Sequence, residues 1–435
     1  MRLVRLIILT LLAFAPLHAV RAESGSNLED QFAAHAKEHG RALQDLYSLR
    51  GLNPMEVSDA TVDLVMRWLT TQRIDQSPGH PEGTSVLFYA HEADELTIYL
   101  VDASGIQAHH IVTISEDDLG EAALAYRLDL NVDGIDRSRA PIWRGAMPDG
   151  KPIAISRSEH SWESPLHEIL LPKQILDKMS TVRHLIVVAN GVIGTVPFAA
   201  FPLSDDKLVV DQMSVTVAPS LFDIDQMIRP WVPQSDYRNA LLVGDPVVPE
   251  SPDWDVPRLP GAMQEIELMA TRSQGQMLLG EEATKGQVVR GMRRSSILYF
   301  AAHGVSDPRE PLTGGFLMLA GPSPEDAFLT AGEVQRMRLR ANLVVLSACQ
   351  SGLGLNHDGG VIGLARSFQK AGVPRVVMSL WSVSDEATLY LMDHFQIEAQ
   401  ETFPAEALRR AMVAAREKYP DPALWAGFTL FGTPR

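Results

Sequence analysis

The stretch Asn342-Leu-Val-Val-Leu-Ser-Ala-Cys349-Gln-Ser-Gly-Leu-Gly354 contains the single cysteine of the 435-residue chain. A short, mostly apolar run stops at a thiol, and a glycine-rich turn follows. A run apolar at successive positions rather than alternate ones reads as a strand buried on both faces, the kind found in parallel sheets. Four more runs share this character: His184–Ala189, Ala240–Gly244, Ile297–Ala302 and Arg375–Leu380. Helical spacing falls between several of them, over Ala262–Arg272, Thr284–Arg293, Thr330–Arg336 and Gly360–Lys370, with a C-terminal helix over Glu406–Lys418. Strands alternating with helices predict an α/β fold with a mostly parallel sheet.

Upstream the pattern differs. Leu28, Phe32, Ala36, Leu43, Leu46 and Leu49 follow helical spacing over residues 28–50, and a second helix is expected over Ser58–Gln72 with Ser58 as its cap. Ser77–Gly83 breaks the chain. Val86–Tyr89, Leu96–Val101 and Gln107–Ile114 predict a three-stranded meander with a polar turn at His91–Glu95. The division is a leader at 1–22, a helical region at 23–83, and a domain at 84–435 with a β-rich part (84–180) and an α/β part (181–435). The Pro-rich span Asp245–Pro260 reads as a long surface loop. No repeat of 20–50 residues occurs, and 23–83 is too short for a helical-repeat array.

Arg2 and Arg5, the apolar stretch Leu6–Leu17 and the small-residue end Val20-Arg-Ala22 form an export-signal pattern, with an uncleaved anchor as the alternative. Cleavage would remove Arg2, Arg5 and Arg21 and take the formal charge from −16 to −19. The expectation is a periplasmic or secreted protein, free of the membrane once the leader is gone. With acidic residues spread along the chain and no Lys/Arg block, nucleic acid is an unsuitable partner. Oxidising compartments use cysteines in pairs, so a lone exported thiol invites a functional reading.

In open α/β sheets the site lies at the carboxyl ends of the strands. Ile297–Ala302 delivers His303-Gly304, and Asn342–Ala348 delivers Cys349. If these strands are parallel neighbours, imidazole and thiol share one rim. Histidine supplies the base that turns a thiol into a nucleophilic thiolate. The N–H groups of Gly304 and Cys349 are candidates for holding an oxyanion. The structural alternative is a small buried cysteine and a hydrogen-bonded strand-end histidine. Asp129-Leu-Asn131-Val-Asp133-Gly134 begins like a calcium loop, but Ala140 replaces the required glutamate, so no metal is expected. His109 and His110 are adjacent on a strand and point to opposite faces. His357-Asp358 reads as loop, and the glycines of 352–363 lack a Walker lysine.

Several ordered motifs carry a resemblance. They are Leu298–Gly304, Leu343–Gly354, Gly359-Gly-Val-Ile-Gly-Leu-Ala-Arg366 and Ser379-Leu-Trp-Ser-Val-Ser-Asp385-Glu-Ala-Thr388, flanked by His184–Gly191, Val196–Phe201, Leu259–Ala262, Leu279–Thr284 and Trp425–Gly432. Together, over about residues 84–433, they resemble the CHAT domain family, caspase-like cysteine peptidases distantly related to caspases, separase and gingipains. The resemblance implies a caspase-like, mostly parallel sheet flanked by helices. It also implies a polypeptide substrate, no cofactor, His303 as general base and Cys349 as nucleophile. By the same resemblance, backbone groups of Trp381 and Ser382 bind the extended peptide by strand addition. Asp385 either faces a basic side chain before the scissile bond or caps the helix that follows it. The repeats that usually accompany such domains do not appear in 23–83, and the export signal is atypical. An activating protein, a latent zymogen and a catalytically silent module that captures a partner strand are the other readings.

Overall fold

The computed structural model describes residues 25–49, 61–74, 83–130, 142–143, 165–189, 191–218, 220–221, 237–251, 254–305, 315–347, 360–381 and 383–433. Outside these fall the expected leader at 1–22, Ser58, the calcium-like residues Asn131–Gly134 with Ala140, and Cys349, His357, Asp358 and Ser382.

The strands that organise the molecule are β1 (Thr84–Glu92), β2 (Glu95–Asp102), β3 (Gly105–Thr113), β4 (His184–Val188), β5 (Ser214–Ala218), β6 (Ala240–Gly244), β7 (Gln276–Leu279), β8 (Ile297–Ala301), β9 (Gly304–Val305), β10 (Phe316–Met318), β11 (Phe328–Thr330), β12 (Leu343–Leu346), β13 (Arg375–Ser379) and β14 (Phe428–Gly432). Eleven of them form one sheet in the order β7-β6-β8-β12-β13-β14-β5-β4-β1-β2-β3. The five strands from β7 to β13 run parallel to one another. β14 is antiparallel to β13, and β5, β4 and β1 follow β14's direction. Nine of the eleven strands therefore form two parallel blocks of opposite direction, and β2 and β3 add an antiparallel edge. The carboxyl ends of β6, β8, β12 and β13 share one rim.

The meander β1–β3 continues this sheet through β1 and β4. Successive residues go to opposite faces of a strand. Val86, Phe88, Tyr99, Val101, Ile186 and Val188 accordingly pack on Phe32 of α1 (Gly25–Leu49) and on Val65, Trp68 and Leu69 of α2 (Val62–Ile74). Leu87, Tyr89, Ile98, Leu100, Leu185 and Val187 join the main core on the other side. The described part of α2 opens at Thr61, whose Oγ1 accepts the Leu64 N–H at 3.3 Å.

Further helices are α3 (Glu116–Asp129), α4 (Pro260–Ala270), α5 (Lys285–Met292), α6 (Ala331–Gln335), α7 (Gly360–Lys370), α8 (Asp385–Glu398) and α9 (Pro404–Lys418). α4 and α5 pack on β6, α7 on β13, and α9 on β5 and β14. The fold is the mostly parallel sheet flanked by helices that the alternation predicts, here in mixed form. Two features differ from that expectation. β14, antiparallel, divides the parallel run. The Asp245–Pro260 span is also not simply surface: Asp245 and Leu259 are buried at its two ends. The segment folds back across the strand ends because a buried carboxylate at one end bonds the backbone at the other.

Candidate active site

His303 follows the last residue of β8 by two positions. Successive carbonyls there are bonded from three directions. Phe300 O accepts from Ser347 N at 3.0 Å, Ala301 O from Asp245 N at 3.0 Å, and His303 O from Met318 N at 2.8 Å. The backbone carrying the imidazole is thus tied to the ends of β12, β6 and β10. The side chain is 2% exposed, with Nε2 2.7 Å from the Pro257 carbonyl oxygen. A carbonyl only accepts, so Nε2 carries the proton, and Nδ1 of the neutral ring holds the basic lone pair.

Gly304 opens β9, which pairs antiparallel with β10. With Met318 N bonded to His303 O, the Gly304–Leu317 pair is the non-hydrogen-bonded type. In such a pair the amide points away from the partner strand. Gly304 N–H is therefore not consumed by β10, as an oxyanion donor requires.

Asp245 lies just past β6, with φ +41° and 2% exposure. Its carboxylate takes Nε of Arg258 at 3.0 and 3.2 Å, Nη2 of Arg258 at 2.5 Å, and the Leu259 N–H at 2.7 Å. The Arg258 guanidinium, half exposed, has its pKa raised first by the Asp245 hydrogen bond, against a smaller opposing effect of burial. Leu259 leads into α4, whose Glu265 is 4% exposed on the helix's sheet-facing side. Tyr299 Oη from β8 and Ser347 Oγ just beyond β12 both donate to Glu265 Oε1. One buried carboxylate therefore ties together the two strands that lead to His303 and Cys349.

At the end of β13, Leu380 N bonds Gly427 O at 2.6 Å. The Trp381 side chain is a core element: it is 3% exposed, and Nε1 donates to Ala423 O at 2.8 Å. Arg127 of α3 lies 5.9 Å from the Trp381 ring centre and donates to Leu380 O at 3.4 Å. Asp385 is the first residue of α8. The helix cap is Ser384, whose Oγ accepts the Ala387 N–H at 3.4 Å, so the cap role expected of Asp385 belongs to its neighbour. The Asp385 carboxylate sits directly over Gly261, where an added Cβ would come within 2.6 Å of Cγ and Oδ2. Segment 257–261 thus touches His303 at one end and Asp385 at the other.

The structure brings His303, Gly304, Trp381 and Asp385 to the rim where β8 and β13 end. Cys349 and Ser382 lie outside the described residues. Asp245, Arg258, Pro257 and Glu265 had not been singled out from the sequence. Glu265 had a readable signal, a carboxylate on the apolar stripe of Ala262, Ile266 and Met269.

The CHAT domain profile matches residues 164–433. The chain belongs to the CHAT domain family. The match begins after the meander, later than the sequence motifs suggested. Among curated relatives, tetratricopeptide repeat protein 28 of Homo sapiens is 25% identical over 295 residues, covering 58% of this chain and 12% of that protein. The Mus musculus counterpart is 24% identical over the same length, with the same coverage. This CHAT chain therefore spans about one-eighth of the curated relatives it matches. Among solved structures, the Saccharomyces cerevisiae separase-securin complex aligns with a TM-score of 0.53 at 10% identity, over 94% of this chain and 34% of that one. That likeness concerns the fold alone.

Proposed function

We propose that this CHAT protein is a cysteine endopeptidase with Cys349 as nucleophile and His303 as base. The observation that carries the reading is the pairing of β8 with β12. They are parallel neighbours, Phe300 pairs with Leu346, and positions 303 and 349 each follow their paired residue by three. Nε2 held on Pro257 O leaves Nδ1 as the basic nitrogen. In the reaction Nδ1 takes the thiol proton and sulfur adds to the peptide carbonyl. The N–H groups of Gly304 and Cys349 hold the oxyanion. The carbon–nitrogen bond then breaks as Nδ1–H protonates the leaving amine. Water, deprotonated by the same nitrogen, hydrolyses the thioester and restores the thiol.

The substrate of this reading is an extended polypeptide pairing with the backbone after β13, at Trp381 and Ser382. A basic residue before the scissile bond suits Asp385, whose carboxylate shares the 257–261 segment with His303. The site of action would be the periplasm or outside the cell, after cleavage behind Ala22, with an activating protein as a further partner.

The test compares new protein N-termini in exported fractions from cells making the wild type and Cys349→Ala. Termini that depend on the thiol and follow Arg or Lys are expected. No thiol-dependent termini would favour the strand-capturing module. Thiol-dependent termini without a basic preference would remove Asp385 from the account.

A further inference from the structure

His303 Nε2 is bonded to a main-chain carbonyl, and that bond orients the ring only as well as the carbonyl itself is fixed. Pro257 lies in the connection between β6 and α4, whose described residues include a strand of only two residues, Trp254–Asp255. A loop carbonyl drifts unless its neighbours are held, and a hydrogen bond weakens steeply as its geometry opens.

Asp245 meets that need in two ways. Its backbone N–H bonds Ala301 O at 3.0 Å, two residues before His303. Its carboxylate bonds the two residues after Pro257, Arg258 through the guanidinium and Leu259 through the amide. One residue therefore grips both the strand that carries the imidazole and the loop that carries its acceptor. The price is local: φ +41° is a left-handed conformation uncommon for residues other than glycine, which Asp and Asn tolerate better than most. Such conformations persist where the surroundings over-determine them, and they cluster at functional sites. The carboxylate is buried, and the paired guanidinium is charged and orientationally fixed by its fork geometry.

We propose that Asp245, acting with Arg258, is the positioning residue of His303. It locks the Pro257 carbonyl against Nε2 so that the ring keeps its tautomer and its imidazolium form is stabilised. This rests on His303 serving as the base of the peptidase proposed above. It predicts that Asp245 governs thiolate formation at Cys349 without touching substrate or sulfur.

The single thiol makes the test unambiguous. The rate of iodoacetamide alkylation is measured at pH 6.5 on the purified full chain, for the wild type, Asp245→Asn, Arg258→Ala, His303→Ala and the double variant Asp245→Asn/His303→Ala. An ordinary thiol is only about 1% ionised at that pH, so loss of His303 should slow labelling by up to about 100-fold. Asp245→Asn keeps size and backbone tolerance and should slow it between about 5-fold and that ceiling, with Arg258→Ala a smaller step in the same direction. The double variant should match His303→Ala alone, because the clamp acts only through the imidazole. If Asp245→Asn does not fold, Arg258→Ala carries the test, since its side chain is over half exposed and the Leu259 bond survives. Wild-type labelling rates in the folded variants, whatever their melting temperatures, would reduce the clamp to a loop staple and overturn the proposal. Additive slowing in the double variant would also overturn it. Equal rates for wild type and His303→Ala would sink the peptidase reading and this inference together. A His303-dependent rate untouched by Asp245→Asn would sink this inference alone.

Discussion

Glu265 carries two buried hydroxyls on one oxygen, and removing it takes that acceptor from both. A buried donor without an acceptor costs about 1–3 kcal/mol, so Glu265→Ala should destabilise the fold by about 2–4 kcal/mol. Glu265→Gln, which keeps an accepting oxygen, should cost less. Urea denaturation of the two variants checks this; equal and small losses would mean the hydroxyls find other partners. Trp381 makes a similar point. The sequence motif places it at the end of a strand, where its backbone is of interest. The structure adds that its indole is buried and bonded to Ala423 O. Trp381→Phe should therefore lower stability by about 1–2 kcal/mol, through the lost hydrogen bond and the smaller ring. At this scale the reactive pair and the oxyanion glycine were readable, since a thiol or imidazole ending an apolar run is conspicuous. Asp245 and Arg258 were not, because nothing in a Pro-rich stretch tells which acid meets which base thirteen residues away.

Among the elements, α4 and α8 meet at their amino ends, where the Asp385 carboxylate lies on Gly261. A Cβ at Gly261 would overlap that carboxylate, backed by the first turn of α8. Gly261→Ala should therefore displace Asp385 and weaken any preference for Arg or Lys before the cut. A peptide library profiled with wild type, Gly261→Ala and Asp385→Ala checks this; an unchanged profile in both variants would detach Asp385 from specificity. Ser384→Ala removes the cap of α8 at about 1 kcal/mol and should leave the profile intact. The buried runs β4, β6, β8, β12 and β13 were legible because both their faces are apolar. β5 was not. Its Ser214 and Thr216 face His184, with Nδ1 2.6 Å from Ser214 Oγ and Nε2 3.3 Å from Thr216 Oγ1, so a polar network interrupts the apolar pattern. The antiparallel insertion of β14 depends on strand order, which pattern alone does not encode.

Across the whole molecule, α9 is held by an ion pair as well as by its apolar face: Arg416 bonds Asp211, which also accepts the Leu208 N–H. Within α9 itself, Glu406 bonds Arg409 and Arg410. Burial raises both carboxyl pKa values, but the hydrogen bonds and charges of these partners outweigh it, and both end below their ordinary values of 3.8 and 4.5. A depressed folded-state pKa contributes stability above the unfolded value, lost as pH falls through the folded one. Urea midpoints of the wild type should therefore fall as pH drops below about 4.5, and fall less steeply in Asp211→Asn/Glu406→Gln. Parallel curves would place the acid sensitivity elsewhere. The proposal of export with cleavage behind Ala22 makes a further whole-chain prediction: the mature amino terminus should be Glu23, and a mature chain starting at Met1 would contradict it.

The central claim joins the sulfur of Cys349 to the imidazole of His303, and the direct measurement is the pH dependence of iodoacetamide alkylation from pH 5 to 10 in wild type and His303→Ala. The wild type should label with an apparent pKa below about 7.5, and the variant with an ordinary value of about 8.5. The same ordinary value in both proteins would contradict the account.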